Sequence, residues 1–248
     1  MKPTMVFLDN GGVLHDNERS SAEWGRLIGE YLAPRLGGDP SAWGEANRIV
    51  FEDQWRRFEA WSEAHARDDH YVDFFKSAEE SVRWLAEMCD SVGVRSPTRA
   101  TCIALAASTE RYVRPRVRSG FDDAAPGVRA LFDAGYTLAT ASGETSEELD
   151  HYMAALGVRE CFTGRLYGPD LVQAQKASAL YYQRILVDVG VEPSQALFVD
   201  DNANAIAWAA EAGARAVHMC RQGDAAPAAD HVVSNLLELV DLLSEAQS

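Results

Sequence analysis

Beyond Pro126 the chain alternates between short apolar runs at strand spacing and longer segments with apolar residues at helical spacing. No other feature constrains the fold as much. The pattern predicts a helix over 128–133, a strand over 136–141 and a helix over 144–156. It continues with a short strand at 161–163, a helix over 177–189, a strand over 196–199, a helix over 202–212, a strand over 214–218 and a helix over 236–244. Strands separated by helices must pair in parallel, and the helices then cover both faces of the sheet. One strand stands apart. Residues 5–8 form an apolar run that stops at Asp9 and enters a turn at Gly11-Gly12. That strand has to join the same sheet, so the material between it and the second strand is an insertion.

The insertion has another character. Across 17–118 apolar residues recur at helical spacing (Trp24, Leu27, Ile28, Tyr31; Val82, Leu85, Met88), and five of the six tryptophans lie there. The expected architecture is therefore α/β: a Rossmann-like, doubly wound parallel core from residues 1–16 and 119–248, with an all-α cap at 17–118. Tryptophans such as Trp24, Trp43, Trp55 and Trp61 could serve as helical core or line a substrate pocket. The stretch 224–230 reads as an Ala-rich surface loop. A formal net charge of −15, from 23 basic against 38 acidic residues, argues against nucleic acid or an anionic membrane as partner. Four scattered cysteines without CxxC spacing and the lack of a long apolar run predict reduced thiols and a cytoplasmic protein; the choice between monomer and homodimer is left open by the sequence.

In open parallel sheets, ligands bind beyond the carboxyl ends of the strands. Asp9, Ser142 and the pair Asp200-Asp201 stand at such ends, and Lys176 opens the helix before the last of them. Each residue alone has a plainer role: Ser142 as a helix N-cap, Lys176 as a solvated charge, Asp200-Asp201 as capping carboxylates. Together they are three carboxylates on one rim, which would repel one another unless a cation relieves them. All-oxygen ligation suits magnesium.

The run Val6-Phe7-Leu8-Asp9-Asn10-Gly11-Gly12-Val13-Leu14, with Asp16, resembles the first motif of the haloacid dehalogenase-like superfamily. Thr140-Ala141-Ser142-Gly143 resembles the second, Lys176 the third, and Leu197-Phe198-Val199-Asp200-Asp201-Asn202 the fourth. The helical insertion resembles the subfamily with an α-helical cap. The resemblance implies a magnesium-dependent phosphatase acting on a small phosphorylated molecule. Asp9 is then the nucleophile, and Ser142 and Lys176 act on the transferring group. Asn10, Ser142, Gly143 and Lys176 bind the phosphate, while Asp9, Asp200, Asp201 and the Gly11 carbonyl bind Mg2+.

One departure stands out. Gly11 occupies the position where phosphatases of the family carry a second Asp as acid and base, and glycine transfers no proton. General acid–base catalysis is worth about 10²–10⁴-fold. His15 is the nearest titratable side chain to replace it, with water as the alternative. Gly11 also leaves two rival readings. One is a 2-haloacid dehalogenase that uses Asp9 without metal; the other is a catalytically weak binding or regulatory relative.

Overall fold

Met5–Leu8 form β1, every residue of it buried. It pairs in parallel with β2 (Thr137–Ala141) on one side and β4 (Ala196–Asp200) on the other. A two-residue strand β3 (Leu166–Tyr167) extends the sheet beyond β2, and β5 (Arg215–Met219) and β6 (His231–Val233) extend it beyond β4. The order is β3-β2-β1-β4-β5-β6, all parallel. The chain leaves β1 toward β2 and β3, then returns to the opposite side at β4, so the strand order reverses around β1. That reversal opens a crevice at the carboxyl ends of β1, β2 and β4.

The structure, a computed structural model, describes residues 3–222 and 226–245. The expected loop at 224–230 lies partly outside the described residues. The chain divides into two compact units. Met1–Asn17, His65–Tyr71 and Gly120–Ser248 form the first; Glu18–Ala64 and Val72–Ser119 form the second. The first unit carries the sheet and the helices α5 (Ala124–Asp133), α6 (Ser146–Leu156), α7 (Pro169–Val172), α8 (Ala179–Val189), α9 (Ala203–Glu211) and α10 (Leu236–Glu245). Phe7 stacks on Phe198 at 4.4 Å, and the Tyr182 ring meets Phe198 edge-on at 5.1 Å. Offset and edge-on ring pairs of this kind add to plain area burial and fix the layer beneath the crevice. The segment His65–Tyr71 is tied to this unit by Ser178 Oγ donating to the Ala66 carbonyl at 2.6 Å.

The second unit is helical: α1 (Asn17–Leu36), α2 (Pro40–Ala64), α3 (Ala78–Val92) and α4 (Arg99–Val113). A β-carbon at Gly29 would sit 2.1 Å from the Pro40 carbonyl oxygen, so glycine is what allows the start of α2 to approach α1. Trp43 is fully buried and donates from Nε1 to the Gly37 carbonyl at 2.8 Å, so it is core. Trp55, by contrast, is 43% exposed and lies among Phe51, Phe58 and Phe75. The architecture is the expected one, a parallel Rossmann-like sheet with an inserted helical cap.

The sequence misplaces three elements. Residues 159–161, expected near a strand, form a short 3-10 turn, and the strand comes later at Leu166–Tyr167. Cys161 and Phe162 are buried all the same, and a short buried turn is as apolar as a short buried strand. The helix expected to open at Lys176 begins at Ala179 with Ser178 as N-cap. The helix expected from 144 begins at Ser146, where Thr145 and Glu148 close a capping box. Both shifts free a charged residue from a helix and turn it into the crevice. Strand β6 was not read from the sequence, because three residues are too few to show alternation.

Candidate active site

The register of the sheet brings the motif residues together. Leu8 pairs with Thr140 and Val199, so the next residues on each strand emerge side by side. Asp9 donates from its backbone N–H to the Val199 carbonyl at 3.0 Å. Its carboxylate accepts from Ser142 Oγ at 2.6 Å and from Lys176 Nζ at 2.8 Å, both at Oδ1. The same ammonium reaches Asp200 Oδ2 at 2.7 Å. Asp200 Oδ1 accepts the Asn202 backbone N–H at 2.9 Å, which fixes its orientation. Oxygens of Asp9, Asp200 and Asp201 all lie within 4.8 Å of one another, a set that could hold a divalent cation.

Electrostatics within this cluster are out of balance. Burial works against the Lys176 charge, but Asp200 and Asp9 outweigh it and hold its pKa well above the ordinary lysine value. Burial raises Asp200 to about 7, against the pull of Lys176 and with the push of Asp9. Asp201 is raised to about 6, by burial and then by Asp9, although its side chain reaches the solvent at the rim. The lysine behaves as a partner in an ion pair, the two aspartates as carboxylates in excess. Both follow from setting three carboxylates against one ammonium.

The turn after β1 is shaped around this cluster. Gly12 has φ +69°, and a β-carbon there would fall 1.9 Å from Asp201 Oδ2. Only glycine fits at this position on both counts. Asn10 O accepts the backbone N–H groups of Leu14 and His15 at 2.9 and 2.8 Å, which closes the turn. Arg221 braces it from outside, donating to the carbonyls of Gly12 at 3.1 Å and Val13 at 2.8 Å. Its guanidinium forms a two-pronged pair with Asp123 at 2.9 and 3.0 Å and lies 3.6 Å from the Phe121 ring centre. His218 accepts the Ala226 N–H at Nδ1 at 2.9 Å, so its Nε2–H donates to the Asp201 carbonyl at 3.0 Å.

One expected residue takes a different place. His15 is 3% exposed and packs against the Tyr152 ring at 5.1 Å. Burial lowers its pKa to about 4, so near neutral pH the ring is uncharged and has no acidic proton to give. Gly143 is exposed, with nothing within 4 Å of a β-carbon built on it. At Gly11 the nearest atoms to such a carbon belong to the Asn17 side chain, its oxygen at 2.8 Å.

Glu144 escaped the sequence reading. Its Oε2 lies 2.5 Å from Ser142 Oγ, and its Oε1 accepts from Asn10 Nδ2 at 2.9 Å. Burial first, and then the Asp9 charge, raise its pKa. Spacing alone could have flagged it, two residues after Ser142, had the helix not been expected to begin there. Tyr181 was missed as well; its hydroxyl donates toward the carbonyls of Ser142 at 2.9 Å and Tyr167 at 3.1 Å beneath the site.

The model of the haloacid dehalogenase-like hydrolase family matches residues 4–213. The chain belongs to this family. It is a hydrolase, and the family's reaction runs through an aspartate nucleophile. Solved structures of similar fold include an L-2-haloacid dehalogenase from Xanthobacter autotrophicus, 19% identical, TM-score 0.68, covering 98% of each chain. The defluorinating L-2-haloacid dehalogenase Rha0230 is 16% identical, TM-score 0.71, with coverage of 98% of this chain and 95% of that one. The HAD-hydrolase YfnB from Bacillus subtilis, bound to magnesium, is 16% identical, TM-score 0.72, with 98% and 99% covered. Likeness at these identities speaks for the fold of this hydrolase and not for its substrate. No curated protein matches the chain.

Proposed function

We propose that this hydrolase removes phosphate from a small organic phosphate ester, with Asp9 as the nucleophile. One observation carries the reading: a third carboxylate, Asp201, stands with Asp9 and Asp200 within 4.8 Å, and a single ammonium faces the group. Such an excess suits a divalent cation and a phosphoryl group, and is hostile to a carboxylate-bearing substrate met without metal. The donor set fits Mg2+, which the side chains of Asp9, Asp200 and Asp201 and the Gly11 carbonyl would hold. Bound there, the ion would neutralise charge on the carboxylates and the phosphoryl oxygens.

The remaining work falls to the chain. An Asp9 oxygen attacks phosphorus and the bond to the leaving oxygen breaks, giving an aspartyl-phosphate. Lys176 stabilises negative charge on the transferring group while holding Asp9 in place. Ser142, with the exposed backbone at Gly143 and the N–H of Asn10, offers donors to the phosphoryl oxygens. Water then attacks phosphorus and releases Asp9.

By name, more of the similar structures support a second reading than the first, a 2-haloacid dehalogenase in which Asp9 displaces halide without metal. Gly11 agrees with it, because that reaction has no need of a second Asp. So does Lys176, which holds Asp9 and Asp200 together unaided. One assay separates the two. Phosphate release from an aryl phosphate is expected to require Mg2+, to stop in EDTA and to vanish in Asp9→Asn. Chloride release from 2-chloropropionate in EDTA would establish the dehalogenase reading instead.

A further inference from the structure

Gly11 leaves the reaction without its usual proton carrier, and His15 is a poor replacement, being buried against Tyr152 and neutral near pH 7. A count of protons around Ser142 indicates another residue. The Ser142 hydroxyl lies 2.6 Å from Asp9 Oδ1, 2.5 Å from Glu144 Oε2 and 3.4 Å from the Asn10 backbone nitrogen. A hydroxyl has one proton to donate and two lone pairs that accept. It can therefore donate to one carboxyl only, and the other must donate to it. Asp9 carries the negative charge in its ion pair with Lys176, whereas the groups bonded to Glu144 are neutral. The second proton accordingly sits on Glu144 Oε2. Asn10 Nδ2 donates to the other oxygen, Oε1, which accepts in either protonation state.

The geometry points to Glu144 as the catalytic acid and base of this site, a role that rests on the phosphatase reading. In the first half-reaction the Asp9–phosphorus bond forms, the bond from phosphorus to the leaving oxygen breaks, and that oxygen takes the Glu144 proton. In the second, water attacks phosphorus, the Asp9–phosphorus bond breaks, and the Glu144 carboxylate takes a proton from the water. Glu144 is restored at the end, so the cycle balances.

Three further observations agree. Burial favours the neutral form of Glu144, the state an acid needs before reaction. Asn10 Oδ1 beside it is buried without a hydrogen-bond partner, an acceptor left for a donor on the substrate. Gly143, between Ser142 and Glu144, faces open space. The charged and titratable groups that act on Glu144 or feel its charge are Asp9 after β1 and Tyr181 on α8.

The test is burst kinetics on the full chain with Mg2+, comparing phenyl phosphate with 2,4-dinitrophenyl phosphate. The second leaving group departs without a proton. Glu144→Gln keeps a neutral hydrogen-bonding side chain and is expected to slow the phenol burst from phenyl phosphate by about 10²-fold. The dinitrophenolate burst is expected to stay within about threefold of wild type, followed by slowed turnover as the second half-reaction loses its base. Glu144→Ala should show the same split, with added formate restoring part of the phenyl phosphate burst. Equal losses on both substrates, or no loss on either, would overturn the assignment. A wild-type chain that releases chloride from 2-chloropropionate but no phosphate from either ester would overturn the phosphatase reading and this role with it.

Discussion

Gly12 shows how a residue without a side chain can carry a site. Its φ of +69° already disfavours any other residue by about 1–2 kcal/mol. The space its β-carbon would need is taken by Asp201 Oδ2, at 1.9 Å. Gly12→Ala is therefore expected to displace Asp201 as well as strain the turn. Titration with Mg2+ should give an apparent Kd raised by about tenfold or more, which corresponds to roughly 1.4 kcal/mol. Calorimetry of the metal-binding step checks this, and an unchanged Kd would show that Asp201 is no part of a metal site. Glu144 illustrates the opposite case, a side chain whose importance comes only from its neighbours. In sequence it is one of many acidic residues on an acidic chain. In the fold it shares a single hydroxyl with the nucleophile.

At the scale of elements, the turn after β1 depends on a brace more than two hundred residues away. Arg221 follows β5 and binds the carbonyls of Gly12 and Val13 while paired with Asp123 at the start of α5. Asp123 also accepts the Leu236 N–H at 2.7 Å at the head of α10. The two side chains are 18% and 17% exposed, so removing one leaves the other mostly buried and unpaired. Arg221→Met is expected to cost about 2 kcal/mol, less than a fully buried pair because solvent reaches both partners. Urea denaturation measures it. In a double-mutant cycle with Asp123→Leu the coupling should be about 1–2 kcal/mol. A coupling near zero would mean that the brace is incidental.

For the molecule as a whole, the formal charge of −15 and the carboxylate excess at the site act in the same direction. Asp200 and Asp201, with pKa values raised to about 7 and about 6, bind protons in the folded protein that the unfolded chain has released above pH 4. For these two groups more protons are bound in the native state, so without metal their contribution to stability falls as pH rises from about 4 to 7. Mg2+ competes with those protons and removes the penalty. At about a hundred times its Kd the ion stabilises by about 2.7 kcal/mol, or roughly 5–10 °C in Tm for a chain of this length. Thermal melts with Mg2+ against EDTA should show that shift at pH 8 and lose most of it at pH 5. A shift independent of pH, or none at pH 8, would count against a metal held by these carboxylates. Among the described residues no helix is long and apolar enough to cross a membrane.

Legible in the sequence were most of the strand–helix alternation beyond Pro126, though not β6 or the place of β3, together with the helical insertion and the carboxyl-end positions of Asp9, Ser142 and Asp200-Asp201. Those follow from periodicity and strand direction, which are local. Edges of elements were less legible. Lys176 and Glu144 read as first residues of helices because a charged residue is equally at home in a first turn and in the loop before it. That each is turned into the crevice, that His15 is buried against Tyr152, and that Arg221 and Asp123 support the turn became plain only from the folded chain. Contacts between residues 98 to 209 positions apart leave no trace in spacing. The proton on Glu144 is the clearest instance, because it follows from one hydroxyl being shared by two carboxyls, and no single segment of the chain contains that fact.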